Sequence, residues 1–285
     1  MTTVAERLAD ARARLEAAGI SSADAAFDSE VLVRHALGWD RAALLARSRE
    51  PEPPDFPTRL DVLIARRIER EPVAQIVGVR EFWGRDFEVT RDVLVPRPET
   101  EIVIEEALQF AREQPCRTVA DVGTGSGCLA VTIASELPDV RVVATDLSQA
   151  ALDVAARNAR RHRVEQRIRF ACANLLDGFD QRVDVIVSNP PYVPRGYSRG
   201  MQPEVVRYEP QLALFAGPTA LEVIRRLFVE SADRLASGGR LVVEFGFGQA
   251  DAVSALAVEA GWTVLRIRED LQRIPRTIVC SRTSG

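Results

Sequence analysis

Thr118-Val119-Ala120-Asp121-Val122-Gly123-Thr124-Gly125-Ser126-Gly127-Cys128-Leu129-Ala130 decides the fold. Its first five residues read as a strand and its three glycines as a tight turn. The run Cys128–Glu136 reads as the helix that follows. Glycine lets a backbone turn sharply and approach a ligand closely. Downstream the alternation continues. Strands are expected at Arg141–Thr145, Ile168–Cys172, Val183–Val187, Arg240–Phe245, Thr263–Arg268 and Thr277–Ser281. Helices are expected at Gln149–Arg160, Ala220–Leu235 and Ala250–Ala260. Such a pattern implies a mostly parallel sheet covered on both faces. Only eight residues, Glu269–Arg276, join the last two strands. That is too few for a crossover helix, so an antiparallel hairpin at the sheet edge is expected. The fold class is α/β, with a seven-stranded Rossmann-like sheet.

Upstream the period changes. Val4, Leu8, Ala11 and Leu15 recur at helical spacing before Gly19. Ser22 can cap a second helix that carries Phe27, Val31, Val33 and Leu37 to Gly38. A proline-rich break over Pro51–Pro57 precedes a third helix, Leu60 to Glu69. This small bundle carries no catalytic constellation, which leaves it a recognition or positioning role. Glu81–Val89 alternates around Gly84 and reads as a short β-hairpin. It leads into Val95-Pro96-Arg97-Pro98-Glu99-Thr100-Glu101, where the prolines rule out regular helix until after Pro98. The expected division is a helical domain over 1–78, a hairpin linker over 79–98 and the α/β domain over 99–285.

Bulk properties narrow the function. The 37 basic residues are all Arg, against 41 acidic ones, for a net charge of −4. A chain built mainly to coat nucleic acid would be basic. The lack of Lys removes Schiff-base and P-loop chemistry. His35 and His162 are the only histidines, and His162 lies in a basic run that reads as a solvated helix end. The four cysteines show no CxxC spacing, against both a zinc site and a disulfide framework. Cys128 and Cys172 read as buried small hydrophobes. No apolar run approaches the ~20 residues of a membrane span. Met1–Arg7 lacks the layout of a secretory signal. A cytoplasmic monomer without membrane contact or a bound metal is expected.

Four features at successive strand ends carry chemistry. The glycine turn is spaced GxGxG because position 128 is Cys, which weakens a dinucleotide reading. Asp146, 19 residues beyond Gly127, ends the second strand, where a carboxylate can take both ribose hydroxyls. Asn174 follows the third strand and offers an amide to an adenine edge. S-adenosyl-L-methionine, a nucleoside without a diphosphate, fits that description. After the fourth strand comes Asn189-Pro190-Pro191-Tyr192. The Asn189 oxygen can accept from a substrate –NH2, and Pro190 offers a carbonyl with no competing N–H. Tyr192 can lay its ring against a planar group. Alone, the tetrapeptide is equally a turn closing a strand. Together the glycine turn, Asp146 and the tetrapeptide describe methylation of a planar nitrogen.

The residues Asp121–Gly127, Asp146 and Asn189–Tyr192 resemble the class I S-adenosylmethionine-dependent N-methyltransferases. Within them, Glu71–Gly78, Arg80–Gly84 and Val95–Glu101 resemble the peptide chain release factor glutamine methyltransferases, over essentially the whole chain. The resemblance implies methyl transfer to the side-chain nitrogen of the glutamine in the release factors' Gly-Gly-Gln motif. It also implies that Gly123, Thr124, Gly125, Ser126 and Gly127 line the methionine portion and Asp146 the ribose. Asn174 and Leu175 would flank the adenine. Asn189, Pro190, Pro191 and Tyr192 would hold the substrate amide, with Asn189 also facing the cofactor. Asn174 departs from the Asp of many relatives, and Arg273 stands where Gly is expected.

Two rivals remain in view and a third is excluded. An adenine-N6 methyltransferase must extrude its base and grip phosphates, which an acidic chain serves poorly. A cytosine-C5 enzyme needs a nucleophilic Cys that the loop lacks. A non-catalytic cofactor-binding protein has no need of an intact Asn189.

Overall fold

The computed structural model describes residues 2–197 and 200–282. Capping residues set the first helices. Thr3 and Glu6 exchange side-chain and backbone hydrogen bonds at the start of α1 (Val4–Ala17). Ser21, one residue ahead of the expected cap, opens α2 (Ser22–Leu37), and Gly38 closes it at φ 65°. Asp40 opens α3 (Arg41–Arg47). Helix α4 (Phe56–Ile68) starts at Phe56 instead of Leu60, because Pro57 sits in its first turn, where a missing N–H costs nothing. Helices α3 and α5 (Val73–Val77) are too short to show a period in the sequence. Strands β1 (Val79–Phe82) and β2 (Arg85–Glu88) form a hairpin through Trp83 and Gly84, both at positive φ.

The remaining chain runs α6 (Glu101–Glu113), β3 (Thr118–Val122), α7 (Cys128–Glu136), β4 (Arg141–Asp146) and α8 (Gln149–Arg161). It continues with β5 (Ile168–Cys172), β6 (Val183–Ser188), β7 (Val193–Pro194), α9 (Pro203–Tyr208), α10 (Gln211–Leu214) and β8 (Phe215–Gly217). It ends with α11 (Glu222–Ser231), β9 (Leu235–Glu244), α12 (Ala250–Glu259), β10 (Thr263–Glu269) and β11 (Pro275–Ser281). Two compact units emerge, 1–79 with 200–208, and 80–199 with 209–285. The hairpin expected as a linker thus falls almost wholly in the second unit.

The first unit packs Leu15, Leu32, Phe56, Leu60 and Ile64 into one core. Each such side chain contributes about 1.5–3 kcal/mol on full burial. A buried ion cluster joins α2, α4 and α9. Arg67 Nε donates to Asp28 Oδ2 at 2.6 Å and its Nη1 to Glu204 Oε1 at 2.8 Å.

The second unit is a seven-stranded sheet in the order β10-β11-β9-β6-β3-β4-β5. Strands β9, β6, β3, β4 and β5 are parallel, and β11 runs antiparallel to both β10 and β9. The chain leaves β3 in both directions, which puts the topological switch between β3 and β6. Val119, Val185 and Val187 fill one face of the sheet, and Ala120, Val122 and Ile186 the other. Burial on both faces is why these strands read as near-continuous apolar runs.

Four expectations need correction. Strand β9 begins at Leu235, before the expected Arg240, because Gly239 lets it press against β6; a Cβ there would lie 2.6 Å from the Asp184 carbonyl. Helix α11 starts at Glu222 because Ala220 sits at φ 69°. Cys172 is exposed, since it ends the edge strand β5, while Cys128 is buried. His162 is less solvated than expected: its ring packs 5.1 Å from that of Phe87. No helix among the described residues is long and apolar enough to cross a membrane.

Candidate active site

The carboxyl ends of β3, β4, β5 and β6 open onto a cleft of about 260 Å³ lined entirely by residues of the second unit. One water needs ~10–15 Å³ of such space, so the cleft has room for a small molecule. Gly123, Thr124, Gly125 and Ser126 line it from the first turn. Gly123 and Gly125 stand at positive φ, and a Cβ on either would meet no protein atom within 4 Å. Side chains there would fill the cleft, so glycine keeps it open. Gly127 does not line it. At φ 80° its Cβ would fall 3.0 Å from that of Ala155, so its absence lets α7 and α8 pack.

The turn is held from below and from the side. Asp121 is fully buried and its Oδ2 accepts from Thr124 Oγ1 at 2.6 Å and from the Ala130 N–H at 3.0 Å. Burial pushes its carboxyl up to about 7. Asn158, also fully buried, donates to the Ser126 carbonyl at 2.9 Å and pairs with the backbone of Glu88. Asp146 lines the cleft. Its Oδ2 accepts from the Gly125 N–H and its Oδ1 from the Ser148 N–H, each at 2.9 Å. Each oxygen keeps a lone pair for a diol. Burial, partly offset by those backbone N–H groups, holds the carboxyl above its ordinary range.

Leu147, Asn174 and Leu175 also line the cleft, with Leu175 at φ 56°. Asn174 is exposed, and its Oδ1 accepts from Arg226 Nη1 at 3.2 Å. The oxygen expected to face an adenine amino group therefore already has a partner. Asn189 and Pro191 line the cleft; Pro190 and Tyr192 do not. The Tyr192 hydroxyl donates to Glu244 at 3.2 Å, and Gln249 Nε2 donates to the Tyr192 carbonyl at 3.0 Å. Gly246 admits the Tyr192 ring: a Cβ there would lie 3.0 Å from it. Tyr192 is thus a buttress of the loop in this structure.

Sequence reasoning missed Glu244, Asn158, Leu147 and Thr100 as contributors. Leu147 was signalled by its place after Asp146, and Thr100 by the motif around it. Glu244 and Asn158 had no local signal, because they act across strands and helices far apart in the chain.

A sheet of this strand order, with a glycine turn, the Asp146 carboxylate and Asn189 of the Asn-Pro-Pro-Tyr loop at one cleft, defines a class I methyltransferase. Residues 6–78 match the PrmC N-terminal domain and residues 100–202 the methyltransferase small domain. A release factor glutamine methyltransferase of Cereibacter sphaeroides is 43% identical over 96% of this chain and 96% of its own. Its counterpart in Burkholderia pseudomallei is 42% identical over 88% of this chain and 90% of its own. The chain belongs to the release factor glutamine methyltransferase family. Among solved structures, a ribosomal protein L11 methylase from Lactobacillus delbrueckii shares the fold, with a TM-score of 0.51 at 22% identity. That alignment covers 66% of this chain and 81% of the other.

Proposed function

We propose that this protein transfers a methyl group from S-adenosyl-L-methionine to the side-chain amide nitrogen of a release factor glutamine, in the Gly-Gly-Gln motif. The observation that carries the reading is that Asn189 lines the same cleft as the glycine turn and Asp146. The open space over Gly123 and Gly125 and the two-toothed carboxylate of Asp146 suit the methionine and ribose portions. Leu147 and Leu175 suit an adenine ring. The cofactor, when bound, supplies an electrophilic methyl group on a sulfonium.

The chain's own residues supply placement. An amide nitrogen is a poor nucleophile, since its lone pair is delocalised into the carbonyl. The Asn189 oxygen accepts one of its N–H groups, orients it and stabilises the positive charge that develops there. Pro190, buried outside the cleft lining, stiffens the loop that carries Asn189. Positioning and fixed dipoles do the catalysis. No general base is required in the loop.

Asn189→Ala should lower turnover about 10²–10³-fold, as loss of one preorganised group does, with cofactor affinity retained. The assay is transfer of labelled methyl to purified release factor, with duplex DNA in parallel. Label on the protein supports the reading. Label on DNA moves the activity to an adenine-N6 enzyme, and no label on either leaves a binding module.

A further inference from the structure

The Asn-Pro-Pro-Tyr loop is tied to a buried carboxylate by a short chain of hydrogen bonds. Asn189 Nδ2 donates to Thr100 Oγ1 at 3.0 Å, and Thr100 Oγ1 donates to Glu244 Oε2 at 2.7 Å. The Tyr192 hydroxyl donates to the other oxygen, Oε1, at 3.2 Å. Thr100 is 2% exposed and Glu244 1%. Thr100 precedes α6, Asn189 follows β6 and Glu244 ends β9. Three distant segments therefore converge on one point.

The chemistry of the three groups allows one polarity. An ionised carboxylate only accepts, a hydroxyl has one proton to give, and a primary amide has one accepting and one donating end. With Glu244 ionised, the Thr100 proton points to it. The Thr100 lone pair then faces Asn189, which must turn its –NH2 toward Thr100. Its Oδ1 is left as the polar atom for a ligand in the cleft.

We propose that Thr100 and Glu244 are positioning residues that lock the Asn189 amide with its oxygen toward the substrate, so that the loop accepts a –NH2 and turns away an acceptor. The inference rests on the assignment of Asn189 to the substrate amide. A flipped Asn189 would set –NH2 against –NH2, and the nitrogen gaining positive charge would meet a donor.

The charged and titratable groups around Glu244 are Tyr192 from the loop, Glu99 before α6, Cys128 on α7 and Arg276 on β11. Burial outweighs the hydrogen bonds and pushes the Glu244 carboxyl up to about 7. Below that range a protonated Glu244 can donate, and the Thr100 hydroxyl is released to point at the amide. The lock therefore engages as pH rises.

The test measures kcat, product affinity and a pH profile for Thr100→Val, Thr100→Ser, Glu244→Gln and Asn189→Ala. Thr100→Val should lower kcat about ten- to a hundredfold, the effect of one lost buried hydrogen bond, with affinity for S-adenosyl-L-homocysteine unchanged. Thr100→Ser should recover most of that loss. Glu244→Gln should flatten the rise of kcat through about pH 7 that the wild-type protein shows. Near-normal kcat in Thr100→Val beside a crippled Asn189→Ala overturns the lock and leaves the loop assignment standing. An active Asn189→Ala overturns both. Loss of product binding together with turnover in Thr100→Val makes its role structural and overturns the proposal, as does an unchanged pH profile in Glu244→Gln.

Discussion

Asp146 shows how one side chain builds a site by what it holds. Its two oxygens each fix a backbone N–H of a different loop, one in the glycine turn and one at the start of α8. Asp146→Ala frees both loops and, on the proposed function, removes the acceptor for the ribose diol. A hydrogen bond to a charged group is worth about 1.5–3 kcal/mol, so product affinity should fall about ten- to a hundredfold by calorimetry. Unchanged affinity would remove Asp146 from the cofactor site. Glu244 gives a residue-scale prediction of another kind. Its carboxyl titrates at about 7 in the fold against the ordinary 4.5. The native state thus keeps a proton that the unfolded chain releases, and stability falls as pH rises from 4.5 to about 7. Glu244→Gln should be less sensitive than wild type to pH over that window in thermal melts. Parallel Tm-versus-pH curves would count against the buried, partly protonated carboxyl.

At the scale of elements, the hairpin β10–β11 tests a departure visible in the sequence. Arg273, where Gly is expected, stands at φ 61°. The turn forms around Asp270, whose Oδ1 accepts from the N–H groups of Gln272 and Ile274 while its Oδ2 pairs with Arg276 at 3.0 Å. A left-handed non-glycine residue costs roughly 1–2 kcal/mol, and glycine returns roughly 0.5–1 of that as chain entropy. Arg273→Gly should therefore stabilise the protein by about 0.5–1 kcal/mol in denaturant melts. A loss of stability would mean that the Arg273 side chain matters more than its backbone. The alternating elements were legible because both-face burial writes strands such as β3 and β6 as apolar runs, bounded by Gly123 or Asn189. The start of β9 was not, because Gly238 and Gly239 mask a strand whose reason is a close approach to Asp184. The cleft residues that follow their strands directly were legible for the same reason: their position is local. Gly127 packs α7 on α8 and is not among the lining residues, and a glycine that admits a ligand and one that admits a helix look alike in sequence. Glu244 and Asn158 were hidden because their partners lie in distant elements.

The whole molecule is two units whose chain is not partitioned in order. Residues 200–208, which follow the Asn-Pro-Pro-Tyr loop, pack with the N-terminal helices. Nothing in local sequence announces this, because the device is a buried ion cluster of Arg67 on α4, Asp28 on α2 and Glu204 on α9. Arg67 and Asp28 are at most a tenth exposed at the side chain, and Glu204 is 12% exposed. Removing Arg67 leaves Asp28 desolvated without its partner, while Glu204 keeps Arg70 at 3.4 Å; breaking such a buried pair costs about 3–5 kcal/mol. Arg67→Ala should lower the melting temperature of the helical unit and raise hydrogen exchange over residues 200–208. The cleft, lined only by the second unit, should keep its affinity for S-adenosyl-L-homocysteine. Exchange mass spectrometry and calorimetry on the full chain read the two effects separately. Retained protection of α9 in Arg67→Ala would show that apolar packing, and not the ion cluster, ties that segment to the helical unit.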